Sequence, residues 1–503
     1  MTPPEHPSTT AAPSQHSRRV LLGGAAWTAP AIVLATAAPA SATLSGAPRI
    51  TVVSTRGDIS PGIGSVLVSL EPDPDGAQTA VALYDDLGAR TTGFAREGAS
   101  GSAGLYRLTF STTTAPVPAA IEVTINVAPF GSATTTVTMA APGTLDTTFA
   151  DADLSASGQA IVVQPDGKIL VAGNFTQYAG NQQQRLVRFN ADGSRDTTLP
   201  NPWINQAVYA LALQADGKIL VTGNFQKVGP PTAVDRTFLA RLNSDGTLDT
   251  TFADPLLNQL GYGVAVQPDG KVLVAGYFTS AGGSVRNYLA RFDADGTLDT
   301  SFQDPALDAF AFTVALQPDG KVLVAGDFTT VGGVTRNRLA RINTDGSLDT
   351  GFADPGLNGR VVGLALQDDG KIVASGEFTE VGGVSRPYVA RFDTNGTVDP
   401  TFADPALDAP ARRVLVQPDG KVLVSGEFTT VGATTRRRLA RLTSNGALDT
   451  AFADPTLAGI DPTVRGIGIA RQSDGKVLVT GNFTTAGSGA TTHRSVARFH
   501  GSP

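Results

Sequence analysis

The chain has no cysteine among its 503 residues, and only four histidines, two methionines and two tryptophans. Without thiols there is no disulfide framework, no thiol nucleophile and no Cys-ligated zinc. Two of the histidines, His6 and His16, lie in a leader-like segment, which leaves only His493 and His500 for a serine triad or an imidazole metal site. Charge is sparse and its balance is −7, which argues against nucleic acid as partner, because phosphate binding needs a clustered positive surface. No apolar run after the first 42 residues is long enough to cross a bilayer. Glycine, alanine and threonine are plentiful instead, as suits many short strands joined by tight turns.

One sentence recurs seven times: Gln-x-Asp-Gly-Lys followed by a run such as Val-Leu-Val-Ala-Gly-x-Phe. It starts at Gln164, Gln214, Gln267, Gln317, Gln367, Gln417 and Gln472. A period of about 50 residues built from strands and turns is the signature of a propeller blade. Within one unit, 263–267 reads as a first strand, Pro268-Asp269-Gly270 as a turn and 271–278 as a second strand. After a longer loop holding Gly282 and Gly283, 288–292 reads as a third strand and 297–302 as a fourth. A three-residue turn ending in Gly296 sets Phe292 opposite Leu298 and Arg291 opposite Asp299, both favourable cross-strand pairs. The last third strand ends with Arg498 and no Asp after it. The repeats open at Asp146 with no third strand before it. The two orphans fit each other. The expected fold is therefore all-β: a seven-bladed β-propeller over 143–503, closed by N-terminal strand exchange through an Arg498–Asp146 pair.

The Gln-Pro-Asp-Gly-Lys run, the Leu-Ala-Arg third strand and the Gly-(Ser/Thr)-Leu-Asp-x-x-Phe tail closely resemble the delta-60 repeat of exported bacterial proteins, from Gly143 to Phe499. They look more loosely like repeats of fungal cortical polarity-marker proteins and of kelch. The resemblance implies a propeller and no catalytic residue. Arg195, Leu199 and Pro400 depart from the pattern.

Ahead of the repeats, residues 47–142 alternate β-branched and polar residues in six segments, near 49–53, 65–70, 79–84, 105–110, 121–127 and 134–139. An immunoglobulin-like β-sandwich is expected there. Residues 1–42 carry Ser17-Arg18-Arg19-Val20-Leu21, a modestly apolar stretch and Ala40-Ser41-Ala42. This resembles a twin-arginine signal peptide cleaved after Ala42, although Gly23 stands where a lysine is common. A secreted or cell-envelope protein is expected, with no membrane span after cleavage.

Features repeated in every blade read as scaffold, because a ring usually has one site. The short turns share one face. The longer loops, such as 176–180, 201–205 and 461–465, share the other and vary. On that face the candidate ligand-binding residues are Trp203, Tyr178, Tyr262, Tyr277, Asp327, Glu377, Glu427 and Arg413, with Phe310 beside them. Aromatics beside carboxylates suit a glycan or protein ligand. The leading expectation is a monomeric, non-enzymatic binding or adhesion protein without cofactor or metal. The alternative is a hydrolase or lyase using the acidic residues Asp327, Glu377 and Glu427 of adjacent blades. The turns of the form Asp293-Ala-Asp295-Gly resemble part of a calcium loop, but no Glu stands at the twelfth position.

Overall fold

Each Asp-Gly corner forms as its residues dictate. Gly270 takes φ 87°, its N–H donates to the Gln267 carbonyl at 2.9 Å, and the Gln267 N–H donates to the Lys271 carbonyl at 2.8 Å. Glycine holds that left-handed corner without a Cβ penalty. The computed structural model describes residues 141–229, 234–459, 468–487 and 493–501. Before these it describes the backbone of strands between Ile32 and Ala140. The expectations for Arg18, Arg19, Ala42 and the loop 461–465 fall outside the described residues. The chain divides into two compact units, with Thr138–Pro503 in the larger.

Between Arg49 and Ala140 run seven strands, one more than the alternation predicts. The additional strand is Arg90–Ser100, which pairs with Ala103–Ser111. Its register shifts between Thr91 and Gly93 and again between Arg96 and Gly98, so bulges break the period-two pattern that would have revealed it. The strand Arg49–Asp58 pairs parallel with Gly131–Ala140, through Gly57 with Met139 and Asp58 with Ala140.

The repeats build seven three-stranded sheets among the described residues. In the third, Gly261–Val266 and Leu289–Phe292 flank Val272–Gly276, with Val272 opposite both Val266 and Phe292. The central strand is buried along its whole length, because a neighbouring sheet covers each of its faces. Cores lie between successive blades. Leu273, Ala275 and Leu289 pack with Val322, Val324 and Phe328 of the next sheet. Each large side chain so buried stabilises by about 1.5–3 kcal/mol. The last blade shares its core with the first, where Leu478 and Val496 meet Ile161, Val171 and Phe189. The sheets therefore close a ring.

Two expectations are corrected. The fourth strand shrinks to a single bridge, Phe292 with Leu298. Asp299 ends it: its Oδ1 accepts the Ser301 N–H at 2.9 Å and the Ser301 hydroxyl at 2.5 Å. Such an Asx turn competes with the ladder and delivers Phe302 into the inter-blade core. The long loop around Gly282 and Gly283 is instead a miniature hairpin, Ser280–Ala281 against Ser284–Val285. Both glycines are left-handed, φ 56° and 76°, as a two-residue hairpin turn requires.

The Arg–Asp pairs sit where this Asx turn and the third strand meet. Arg291 Nε donates to Asp299 Oδ2 at 2.7 Å, its guanidinium carbon lies 4.6 Å from the Phe302 ring centroid, and its Nη1 donates to the Thr344 carbonyl of the next blade at 2.7 Å. Arg188, Arg241, Arg341 and Arg391 reach Ser244, Ala294, Thr394 and Ser444 in the same way. Main chain reinforces the joint: the Ala253 N–H donates to the Asp295 carbonyl at 2.7 Å. A Cβ at the adjacent Gly296 would lie 2.7 Å from the Ala253 oxygen. Burial alone would raise the carboxyl of Asp349, but hydrogen bonds from Lys321, Arg341 and the Gly351 N–H outweigh it and bring it down to about 2.

The seam repeats the joint with the two ends of the repeat region. Leu145 bridges Phe499, the Asp146 N–H donates to the Arg498 carbonyl at 2.8 Å, and the His500 N–H donates to the Thr144 carbonyl at 2.9 Å. Arg498 Nε donates to Asp146 Oδ2 at 2.9 Å, with side chains 5% and 1% exposed. Arg498 also donates to the Ala191 carbonyl in the first blade. Removing one member of a buried pair strands the other charge. Asp146→Ala is expected to lose roughly 3–5 kcal/mol. Asp235→Ala, which breaks an exposed pair with Lys227, should lose about 0–1 kcal/mol. Urea unfolding midpoints compare the two, and equal shifts would contradict this account of closure.

Candidate binding site at the variable-loop mouth

The loops opposite the Asp-Gly turns are held by one recurring contact. Asn258, between blades, accepts at Oδ1 from the N–H groups of Thr279 at 2.9 Å and Ser280 at 3.1 Å. Asn205, Asp308, Asn358 and Asp408 do the same for their blades. The inter-blade and second-to-third loops therefore lie together and are pinned. A second position is also fixed by backbone and varied in side chain: the residue before each repeated Phe. The Tyr277 N–H donates to the Leu260 carbonyl, that of Asp327 to Phe310, that of Glu377 to Arg360 and that of Glu427 to Pro410.

From these positions and the start of each first strand an aromatic arc forms across blades two to four. Tyr209 stacks on Tyr262 at 4.9 Å between centroids, and Tyr277 on Phe310 at 3.7 Å. Phe312 stands edge-on to Tyr262 at 5.4 Å, and Tyr262 lies 5.3 Å from Tyr277. Burial, with the neighbouring Tyr262, raises the Tyr209 phenol above its ordinary value.

A ladder of alternating charge continues across blades four to six. Arg360 lies 3.1 Å from Asp327 Oδ2 and 3.5 Å from Glu377 Oε2, with its guanidinium over Phe312 at 5.5 Å. Arg412 Nη1 donates to Glu377 Oε1 at 2.5 Å, and its Nη2 to Glu427 Oε1 at 2.5 Å. Arg360 thus joins arc to ladder. The three carboxylates keep 22%, 28% and 30% exposure, so the wall faces solvent. Arg413 follows Arg412 on the same strand and donates through Nη1 to the carbonyls of Val362 at 3.0 Å and Arg412 at 3.2 Å. Burial, then the charge of Arg412, lowers its basicity, while the Tyr262 phenol acts the other way.

Six of the eight predicted residues belong to this one wall: Tyr262, Tyr277, Asp327, Glu377, Glu427 and Arg413. The other two do not join it. Trp203 is 37% exposed on an inter-blade turn, at φ 53°, with its N–H on Asn201 Oδ1. Tyr178 packs on Phe189 under the Arg195 guanidinium, in the outer hairpin of the first blade. Arg360, Arg412, Tyr209 and Phe312 were missed. For three of them the signal was the second residue of each first strand, which reads Gln159, Tyr209, Tyr262, Phe312, Val362 and Arg412; Arg360 immediately precedes its first strand. In the turns that resembled a calcium loop, Asp295 Oδ1 accepts from the Thr297 N–H and hydroxyl. Among the described residues no three His, Asp or Glu cluster as metal ligands.

A family model described as a domain of unknown function (DUF5122) beta-propeller matches residues 164–199, 214–252, 267–302, 317–352, 367–402, 417–452 and 472–500. The repeat region belongs to this β-propeller family. A solved structure of a protein of unknown function from Bacteroides caccae is 15% identical, with 59% of this chain and 93% of that one covered, at a TM-score of 0.30. No curated protein matches the chain. The family description assigns no activity.

Arg412 is 6% exposed and Arg360 32%. Arg412→Ala takes the arginine from Glu427 and leaves Glu377 with Arg360, and is expected to lower stability by about 1–3 kcal/mol. Arg360→Ala should cost about 0–1 kcal/mol. Denaturation midpoints that rank them the other way would contradict the ladder.

Proposed function

We propose that the chain is an exported, non-enzymatic binding protein that holds a glycan at the variable-loop mouth of its propeller. In this reading the N-terminal unit is an immunoglobulin-like spacer and the repeats are of the delta-60 type. The observation that carries it is the aromatic arc meeting the charge ladder at Arg360. Flat rings present stacking faces for the C–H faces of sugars, and the partly exposed carboxylates and guanidinium groups supply directional hydrogen bonds. Both sit on loops held by a rigid ring, the arrangement binding surfaces favour.

The hydrolytic alternative needs two carboxyl groups facing each other across an open gap of roughly 5–10 Å that admits substrate or water. Here Arg360 occupies the interval between Asp327 and Glu377, and Arg412 that between Glu377 and Glu427. This favours recognition over bond cleavage.

Two experiments test the reading. On a glycan array followed by calorimetry, Tyr277→Ala should weaken binding at least tenfold, or about 1.4 kcal/mol, while Trp203→Ala leaves it unchanged. Product release from any bound glycan, abolished by Glu377→Gln, would replace the binding reading by the enzymatic one. Capture of a protein but no glycan would transfer the mouth to protein recognition. For export, the double change Arg18→Lys, Arg19→Lys should leave uncleaved protein in the cytoplasm on immunoblots of cell fractions. Undiminished export would remove the twin-arginine route.

A further inference from the structure

We propose that the glycan is acidic, and that Arg413 receives the carboxylate of one of its sugars. This rests on the reading of the mouth as a glycan site and adds the class of sugar. Among the described residues each carboxylate of the wall has an arginine partner, whereas Arg413 has no carboxylate. Asp327, Glu377 and Glu427 are each bonded to Arg360 or Arg412. Arg413 makes its two side-chain hydrogen bonds through Nη1 alone, both to main-chain oxygens, Val362 and Arg412. Neutral carbonyls fix the guanidinium in place without compensating its charge.

That charge stands in an unfavourable place for a cation. Burial and the adjacent Arg412 both work against it. A half-buried ion with no opposite charge beside it is costly, and an anion that pairs with it recovers part of that cost. The geometry narrows the anion. With Nη1 committed to the backbone, the Nε and Nη2 edges are left, and the planar fork matches a carboxylate through parallel N–H donors. Position narrows the carrier. The Tyr262 phenol acts on Arg413 electrostatically, and Tyr262 is the centre of the aromatic arc, in contact with Tyr209, Tyr277 and Phe312. The proposed ligand joins the two, pairing with Arg413 while another part of it lies on those rings. A hexuronic acid unit within an oligosaccharide has both parts: an apolar ring face to stack and a planar carboxylate projecting from it.

The test is isothermal titration of the full mature protein with an oligo-uronate, and with the same oligosaccharide after its carboxyl groups are reduced to alcohols. The unmodified protein is expected to bind the acidic form at least tenfold more tightly. Arg413→Gln should abolish that preference, and Arg413→Lys, which keeps the charge and loses the fork, should retain part of it. Tyr277→Ala should weaken both forms alike. Equal affinity of the unmodified protein for the two forms overturns the proposal and leaves the glycan reading standing. That comparison needs no variant to fold. Binding of neither form, with capture of a peptide through its C-terminal carboxylate, overturns the glycan reading and the proposal together.

Discussion

A buried arginine shared between two blades is the constraint on which the ring depends. Arg291 spends Nε on its own aspartate, Nη1 on a carbonyl of the following blade and its flat face on Phe302. A buried ion pair is not in itself a source of stability, since desolvation offsets much of the attraction. Its value here is geometric. The pair fixes the third strand against the segment that follows it, and the third contact fixes one blade against the next. Because the same side chain does both, the register within a sheet and the angle between sheets are set together. The hydrophobic cores then fill a space already defined.

Scaffold and site draw on different residues for the same reason. A joint that must work at every blade cannot vary, so Arg, Asp, Gly and Phe recur. The mouth is built from positions where only the backbone is held, by amide bonds and by Asx contacts to the loops. There the side chain is free to change, and across blades two to six it changes from Tyr and Phe to Asp, Glu and Arg. The asymmetry that gives a seven-fold scaffold one particular face arises at these positions.

Much of the blade was legible because turn chemistry and charge are local. The Ala294-Asp295-Gly296 corner fixes a loop length, and the loop length sets Arg291 across from Asp299. The trimmed fourth strand was less visible, since the aspartate that pairs with arginine also starts an Asx turn, and alternation cannot show which oxygen does which. The Gly-Gly hairpins were read as loops because strands of two residues leave no periodicity. The added N-terminal strand Arg90–Ser100 was hidden by its bulges. Equivalence of repeat positions put Tyr277, Asp327, Glu377 and Glu427 on one rim, whereas Trp203 and Tyr178 were chosen for residue type. Type does not give radial position in a ring. Arg412 went unrecognised because its role, lying between the glutamates of two blades, exists only once neighbours are placed side by side.

The seam between Asp146 and Arg498 joins residues 352 apart in sequence. Contacts so distant are the slowest to form, since a very long loop must close before any reward is gained. The segment synthesised first in the repeat region has no partner until the last strand has left the ribosome. Throughout translation the nascent array is an open arc with a bare sheet edge at each end, the kind of edge that pairs with stray strands. Putting the latch at the two extremes of the repeat region makes completion of the repeats the event that buries both edges at once, so that a product truncated within them cannot close its ring.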